Sequence, residues 1–233
     1  MRIWDISPGY LNRQSLLGEH RELHGIVSVI VNSKKGYARH PETLRWVNCI
    51  WALKERHRQL RCEMMLRGYR ENSPVEIKEK TGKWPAKYID DPYRQIQILK
   101  QKYKDKECGR IPLPKNAQQL WSHHKYSVLA RDPGLYRKLG REVSDMKAGQ
   151  EFVKQADELT KLLRQVPPPG NLRNALQHMW GYVSQHYIST KDDVDTWSSR
   201  KLIREIQILA LETREPYLTS STALSDLDMF CQD

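Results

Sequence analysis

Apolar residues recur along this chain at helical spacing, and no alternating strand pattern of useful length appears. Leu16, Leu23, Ile26 or Val27, and Ile30 share one stripe. They predict a first helix, capped by Asn12 or Ser15 and running to about Val31. From Pro41, the residues Trp46, Ile50, Leu53, His57, Leu60 and Met64 step by fours and threes. That spacing predicts one long amphipathic helix ending at Gly68. Asp91-Pro92 opens a helix to about Tyr103, Asn116 opens another through Leu129, and Asp132-Pro133 starts a third. Trp197 to Glu215 predicts a further helix, stopped by Pro216. The expected fold class is all-α.

The breaks in this pattern suggest the domain layout. Asn32 to His40, with Lys34, Lys35 and Arg39, reads as a basic loop, and residues 71–90 read as an irregular polar excursion. Cys108 to Lys115 carries Gly109, Pro112 and Pro114 and is a candidate linker. Val166-Pro167-Pro168-Pro169-Gly170 breaks the chain again. Two helical domains are therefore expected, residues 1–115 and 116–233, in a chain of 233 residues.

Charge sharpens that division. Residues 1–115 hold 24 Lys and Arg against 13 Asp and Glu, whereas residues 116–233 hold 15 of each. The whole net charge of +11 thus lies in the first half. Such a balance suits a polyanionic partner, whose phosphates supply most of the affinity, although a merely soluble basic surface would look the same. No run of 18 apolar residues suggests a membrane span, and the start lacks a signal-peptide layout. Cys49, Cys62, Cys108 and Cys231 form no paired motif and read as reduced thiols, so a cytoplasmic, nucleoid-associated monomer is expected.

The candidate chemistry lies in the first 25 residues. Gly18, Glu22 and Gly25 share a helical stripe, where two glycines flanking a carboxylate would leave a shallow groove. The alternative reading of the glycines is close helix–helix packing, at roughly 1 kcal/mol of helix propensity each. His20 and His24 stand at i, i+4 on that helix. Zinc would need at least one more ligand, and no HExxH or cysteine cluster supplies it, so no metal is expected. No glycine-rich phosphate loop is present, so no nucleotide cofactor is expected either. His57 falls on a buried stripe and reads as a core histidine, while Arg45, Arg56, Arg58 and Arg61 lie off it and read mostly as a solvated face.

From Met1-Arg2-Ile3 through Gln14, Leu16, Glu19 and Arg21-Glu22-Leu23, the chain resembles the start of the pyrimidine-dimer DNA glycosylases. These are phage and bacterial enzymes that incise UV-damaged DNA. The resemblance implies a glycosylase with abasic-site lyase activity. The α-amine of Met1 would be the nucleophile on the deoxyribose C1′, and Glu22 would be the catalytic carboxylate. Retention of Met1 is expected because the bulky Arg2 follows it. An α-amino group ordinarily titrates near 7.7–8.0, so a usable neutral fraction exists near pH 7. The resemblance also implies that Arg2, Gln14 and Arg21 contact DNA, and Lys34, Lys35 and Arg39 would extend that contact to double-stranded, damaged DNA. The chain departs from the family at Ser15, where a histidine is usual, and near Gly25, where an arginine is usual. A non-catalytic helical nucleic-acid-binding protein is the alternative. The family's aromatic and basic tail has its nearest analogue here in residues 121–126.

The second half resembles a bacterial domain of unknown function. Residues 120–143 (LWSHHKYSVLARDPGLYRKLGREV) and 171–183 (NLRNALQHMWGYV) carry the resemblance, which weakly resumes from Leu202 to Leu227.

Overall fold

The computed structural model describes residues 1–147, 149–188 and 193–231. Helices are their only regular secondary structure, with no strand among the described residues, and the fold is all-α. Contacts divide the chain into two compact units, Met1–Gly109 and Arg110–Asp233, a division that falls inside the 108–115 stretch.

The first unit starts with an extended segment and a short 3-10 turn, Pro8–Tyr10, capped by Ser7. Helix α1 follows, Arg13–Val31, with Asn12 Oδ1 accepting from the Ser15 amide at 2.9 Å. Leu16, Leu23 and Ile26 form its buried stripe, as the spacing predicts. The expected long helix from Pro41 is instead two, α2 (Pro41–Trp46) and α3 (Ile50–Leu66). The break falls at Val47, Asn48 and Cys49, where asparagine is a poor helix former that competes for backbone hydrogen bonds. Trp46 is nevertheless buried, its Nε1 donating to the Glu42 carboxylate at 2.9 Å. Helix α3 ends in a Schellman turn: Gly68 adopts φ +80°, and the Tyr69 amide reaches back to the Met64 carbonyl at 3.0 Å. Helix α4, Pro92–Lys102, is capped by Asp91 and buries Ile96 and Leu99.

The second unit contains α5 (Ala117–Leu129), α6 (Pro133–Ser144), α7 (Val153–Leu162), α8 (Pro169–Trp180) and α9 (Ser199–Glu212). Two short helices follow, α10 (Pro216–Thr219) and α11 (Ala223–Asp226). Asn116, Asp132 and Ser198 cap α5, α6 and α9. Helix α7 opens on Val153 behind Phe152 and has no side-chain cap, so no capping residue marked its start in the sequence. Its place is set by burial of Ala156, Leu159 and Leu162.

Candidate active site

Helix α1 carries two glutamates three residues apart, about 60° from one another around its axis. Their surroundings differ completely. Glu19 is buried and paired with Arg56, which is itself only 1% exposed. Arg56 Nε donates to Glu19 Oε1 at 2.7 Å, and the guanidinium reaches Oε2 at 3.1 Å. Burial pushes the Glu19 carboxyl up to about 7, against the downward pull of the adjacent guanidinium. Arg56 also donates to the Ile6 carbonyl at 2.9 Å, and the Trp4 amide donates to Glu19 at 3.2 Å. The pair therefore ties the N-terminal segment to α1 and α3.

Further bonds fix the same segment. The Asp5 amide donates to Gln95 Oε1 at 2.8 Å, and Gln95 Nε2 returns a bond to Asp5 Oδ2 at 2.9 Å. Arg45 pairs with Asp5 and with Glu42. Ile3, Trp4 and Ile6 are buried. Backbone, ion pairs and apolar side chains together hold residues 2–6 in one place.

Glu22 is half-buried and accepts the backbone N–H of Arg2 at Oε2. Only three covalent bonds separate that nitrogen from the nitrogen of Met1. The carboxylate is thereby held beside the first residue. Glu22 and Arg2 border a groove of about 500 Å³, flanked by Trp4, Gly18 and Ile98 and by the polar side chains of Gln14, Ser15, Arg21 and Lys102. A Cβ added at Gly18 or Gly25 would meet nothing within 4 Å. The two glycines thus face open space, and the helix-packing reading of them does not hold.

The sequence-expected DNA contacts fall into two groups. Gln14 and Arg21 are exposed and border both this groove and an adjoining cleft of about 570 Å³, where Arg13 and Lys106 also lie. Arg2 borders the groove too, but its guanidinium pairs with Asp90 and lies 4.5 Å from the Trp4 ring centre. Lys34, Lys35 and Arg39 are exposed in the turns after α1 and border neither cavity. They lie beyond Val31, which is about 13 Å along the helix axis from Glu22.

Sequence reasoning missed Lys102 as a groove residue. Its ammonium meets Ser15 Oγ at 3.0 Å, across 87 positions of sequence. The arginines read as a solvated face of the single expected helix from Pro41 are mostly engaged: Arg56 is in the core, Arg45 of α2 is paired, Arg58 meets Glu55, and Arg61 stands 3.9 Å from Glu71. In the second unit, residues 121–126 lie in α5 and bury His123, His124 and Tyr126, so the segment is part of a packed helix and no counterpart of a DNA-contacting tail.

A second gathering of polar groups involves another face of α1. His20 and His24 meet His57 of α3 and Glu71 of the excursion after it, with one ligand-type atom from each within 4.8 Å of the others. Burial holds the His57 imidazole down at about 4 and lowers that of His20 as well.

Residues 1–77 match the pyrimidine dimer DNA glycosylase family, and residues 125–226 match a protein family of unknown function, DUF1722. The first is a family of DNA glycosylases. No curated protein and no solved structure matches the chain. Among the described residues, no helix is long and apolar enough to cross a membrane.

Proposed function

From the pyrimidine dimer DNA glycosylase match, we propose that residues 1–115 excise UV pyrimidine dimers from double-stranded DNA and cut the resulting abasic site. The observation that carries this reading is the hydrogen bond from the Arg2 amide to Glu22 beside an open groove. The α-amine of Met1 attacks C1′ of the deoxyribose and displaces the base, giving a Schiff base with the opened sugar. Glu22, held at the amide of the next residue, takes and returns protons as the imine forms and the strand is cut. The target nucleotide must leave the duplex stack, at a cost of a few kcal/mol that weakened pairing at a lesion reduces.

Arg21, Gln14 and Arg2 contact the DNA backbone or lesion around the groove, with Lys102, Arg13 and Lys106 adding positive charge at its edge. Lys34, Lys35 and Arg39 contact phosphates further along the duplex. In this reading Arg2 has two tasks, since its bond to Asp90 also braces the terminus.

Borohydride trapping on duplexes with an abasic site or a thymine dimer tests the proposal. A covalent protein–DNA adduct is expected when Met1 is first and its amine is free. A chain with an uncleaved N-terminal tag should bind dimer DNA and form no adduct, because an amide nitrogen is neither basic nor nucleophilic. A trapped adduct from the tagged chain would move the nucleophile to a lysine. Binding without any adduct from the untagged chain would favour the non-catalytic alternative.

A further inference from the structure

We propose that His20, His24, His57 and Glu71 form a binding site for one divalent transition-metal ion, with zinc as the best-fitting occupant. The inference does not depend on the glycosylase reading.

The geometry carries it. His20 Nε2 lies 3.2 Å from His57 Nε2 and 3.3 Å from His24 Nε2. Glu71 Oε1 lies 3.6 Å from His20 Nε2 and 3.9 Å from His57 Nε2. Tetrahedral zinc with Zn–N bonds of about 2.0–2.1 Å sets its ligand atoms about 3.3–3.4 Å apart. The closest of these spacings already match a tetrahedron's edges, and all four ligand atoms lie within 4.8 Å of one another, so side-chain shifts inward would complete the set.

Hydrogen bonding alone explains the cluster poorly. A neutral imidazole nitrogen offers one N–H or one lone pair. His20 Nε2 touches two other ring nitrogens, so one atom cannot serve both contacts as good hydrogen bonds. A single shared cation uses all three lone pairs at once. Three imidazoles and a carboxylate are also a donor set that suits zinc and the neighbouring divalent metals.

The site is built from three segments that the chain brings together late. His20 and His24 are one helical turn apart on α1, His57 projects from the middle of α3, and Glu71 follows the helix-ending turn at Gly68. The side chains of His57 and Glu71 are 4% and 3% exposed and that of His20 is 13%, so the pocket between α1 and α3 is largely shielded from water. Glu71 is oriented from outside the cluster, by the Ser73 amide and by Arg61 at 3.9 Å. Such outer partners fix a ligating carboxylate's direction. Four protein ligands leave no open tetrahedral position, so the ion's task is structural. It clamps α1 to α3 and anchors the start of the 71–90 excursion. Glu22 lies two residues from each α1 ligand, about 200° around the helix, so the clamp grips α1 from the side away from the candidate catalytic carboxylate.

The test uses the full chain, stripped of metal and then titrated with zinc or cobalt(II). One tightly held equivalent of zinc per chain is expected after desalting, with a higher melting temperature than the stripped protein. Cobalt should give the strong d–d absorption of a tetrahedral site without thiolate charge-transfer bands. Glu71→Gln and His57→Ala should each weaken binding by at least about 10-fold, because losing a direct ligand costs no less than losing an outer partner. His178→Ala, on α8, should leave binding unchanged. Glu71 lies outside any helix, so its variant remains informative if His57→Ala does not fold, and the cobalt spectrum needs no variant. No retained zinc, a pale octahedral spectrum, thiolate bands, or undiminished affinity in Glu71→Gln would each overturn the proposal.

Discussion

Each unit of this protein has a buried arginine–carboxylate pair in its core, Arg56–Glu19 in the first and Arg131–Asp226 in the second, and the two pairs end in different places. In the first unit Arg56 grips Glu19 and its Nη1 donates to the Ile6 carbonyl and to Gln59 Oε1. In the second, Arg131 grips Asp226 at 2.8 and 3.0 Å and donates to the carbonyls of Ser127, Gln165 and Leu163. Both satisfy a guanidinium almost completely inside a helical core, and both tie together segments far apart in sequence. The first stands next to a groove bordered by a second carboxylate, Glu22, which accepts a backbone N–H. The surrounding charge differs too: Met1–Gly109 holds 22 Lys and Arg against 13 Asp and Glu, and Arg110–Asp233 holds 17 against 15. A buried ion pair is thus no signature of a site. What marks the candidate site is a polar group left available beside such a pair, within a basic surface.

The largest expected effect separates the two glutamates of α1. Glu22→Gln should retain DNA binding and lose cleavage by about 10²–10⁴-fold, the usual contribution of a general acid–base group. Rates of strand cutting on abasic-site DNA at saturating protein measure this, and full cleavage would remove Glu22 from the mechanism.

Next in size is the cost of breaking either core pair. Arg131→Met leaves Asp226 buried without its partner and should cost about 3–5 kcal/mol of stability, read from chemical denaturation. Cleavage per folded molecule should be unchanged. Arg56→Met should destabilise by a similar amount and also slow cleavage, because Arg56 holds the segment that carries the terminus. Equal effects of the two variants on cleavage would erase the distinction drawn between the units.

Acid should act on the second unit through its adjacent buried histidines. Burial lowers the His124 imidazole to about 4 and the His123 imidazole to about 3, both from an ordinary 6.5. Folding therefore excludes protons that the unfolded chain would bind below pH 6.5. The stability tied to neutral imidazole is fully present above pH 6.5 and is lost as pH falls towards 4 and then 3. Between pH 6.5 and 5 the loss should approach about 2 kcal/mol per histidine. His124→Gln should flatten that slope in thermal melts, and an unchanged slope would count against it.

Smaller effects probe the groove. Arg21→Ala should weaken DNA binding across sequences and reduce the slope of log affinity against log salt by about 0.9, the value of one phosphate contact. Gly18→Ala should stabilise α1 by roughly 1 kcal/mol, since the new methyl meets open space. Its cleavage rate shows whether the substrate backbone uses that space: a fall with unchanged folding is expected, and an unchanged rate would argue that DNA never approaches Gly18.

The sequence by itself determined the helical class, most helix starts and the uneven charge. These depend on nearest neighbours: caps at Asn12, Asp91, Asn116 and Asp132, a glycine at 68, and apolar residues every three or four positions. Similarity along the first 23 residues marked Glu22 before any geometry was known. Other features were set by distance in space. Nothing local says that Arg56 turns inward to Glu19, that Lys102 returns to Ser15, or that the Pro41 helix breaks before Ile50. The histidines make the point most directly. His20 and His24 announce half a metal site through their spacing, but the other half comes from α3 and from a polar excursion with no pattern of its own. Helix periodicity records which face a residue occupies. Only the packing of α1 against α3 decides what that face meets.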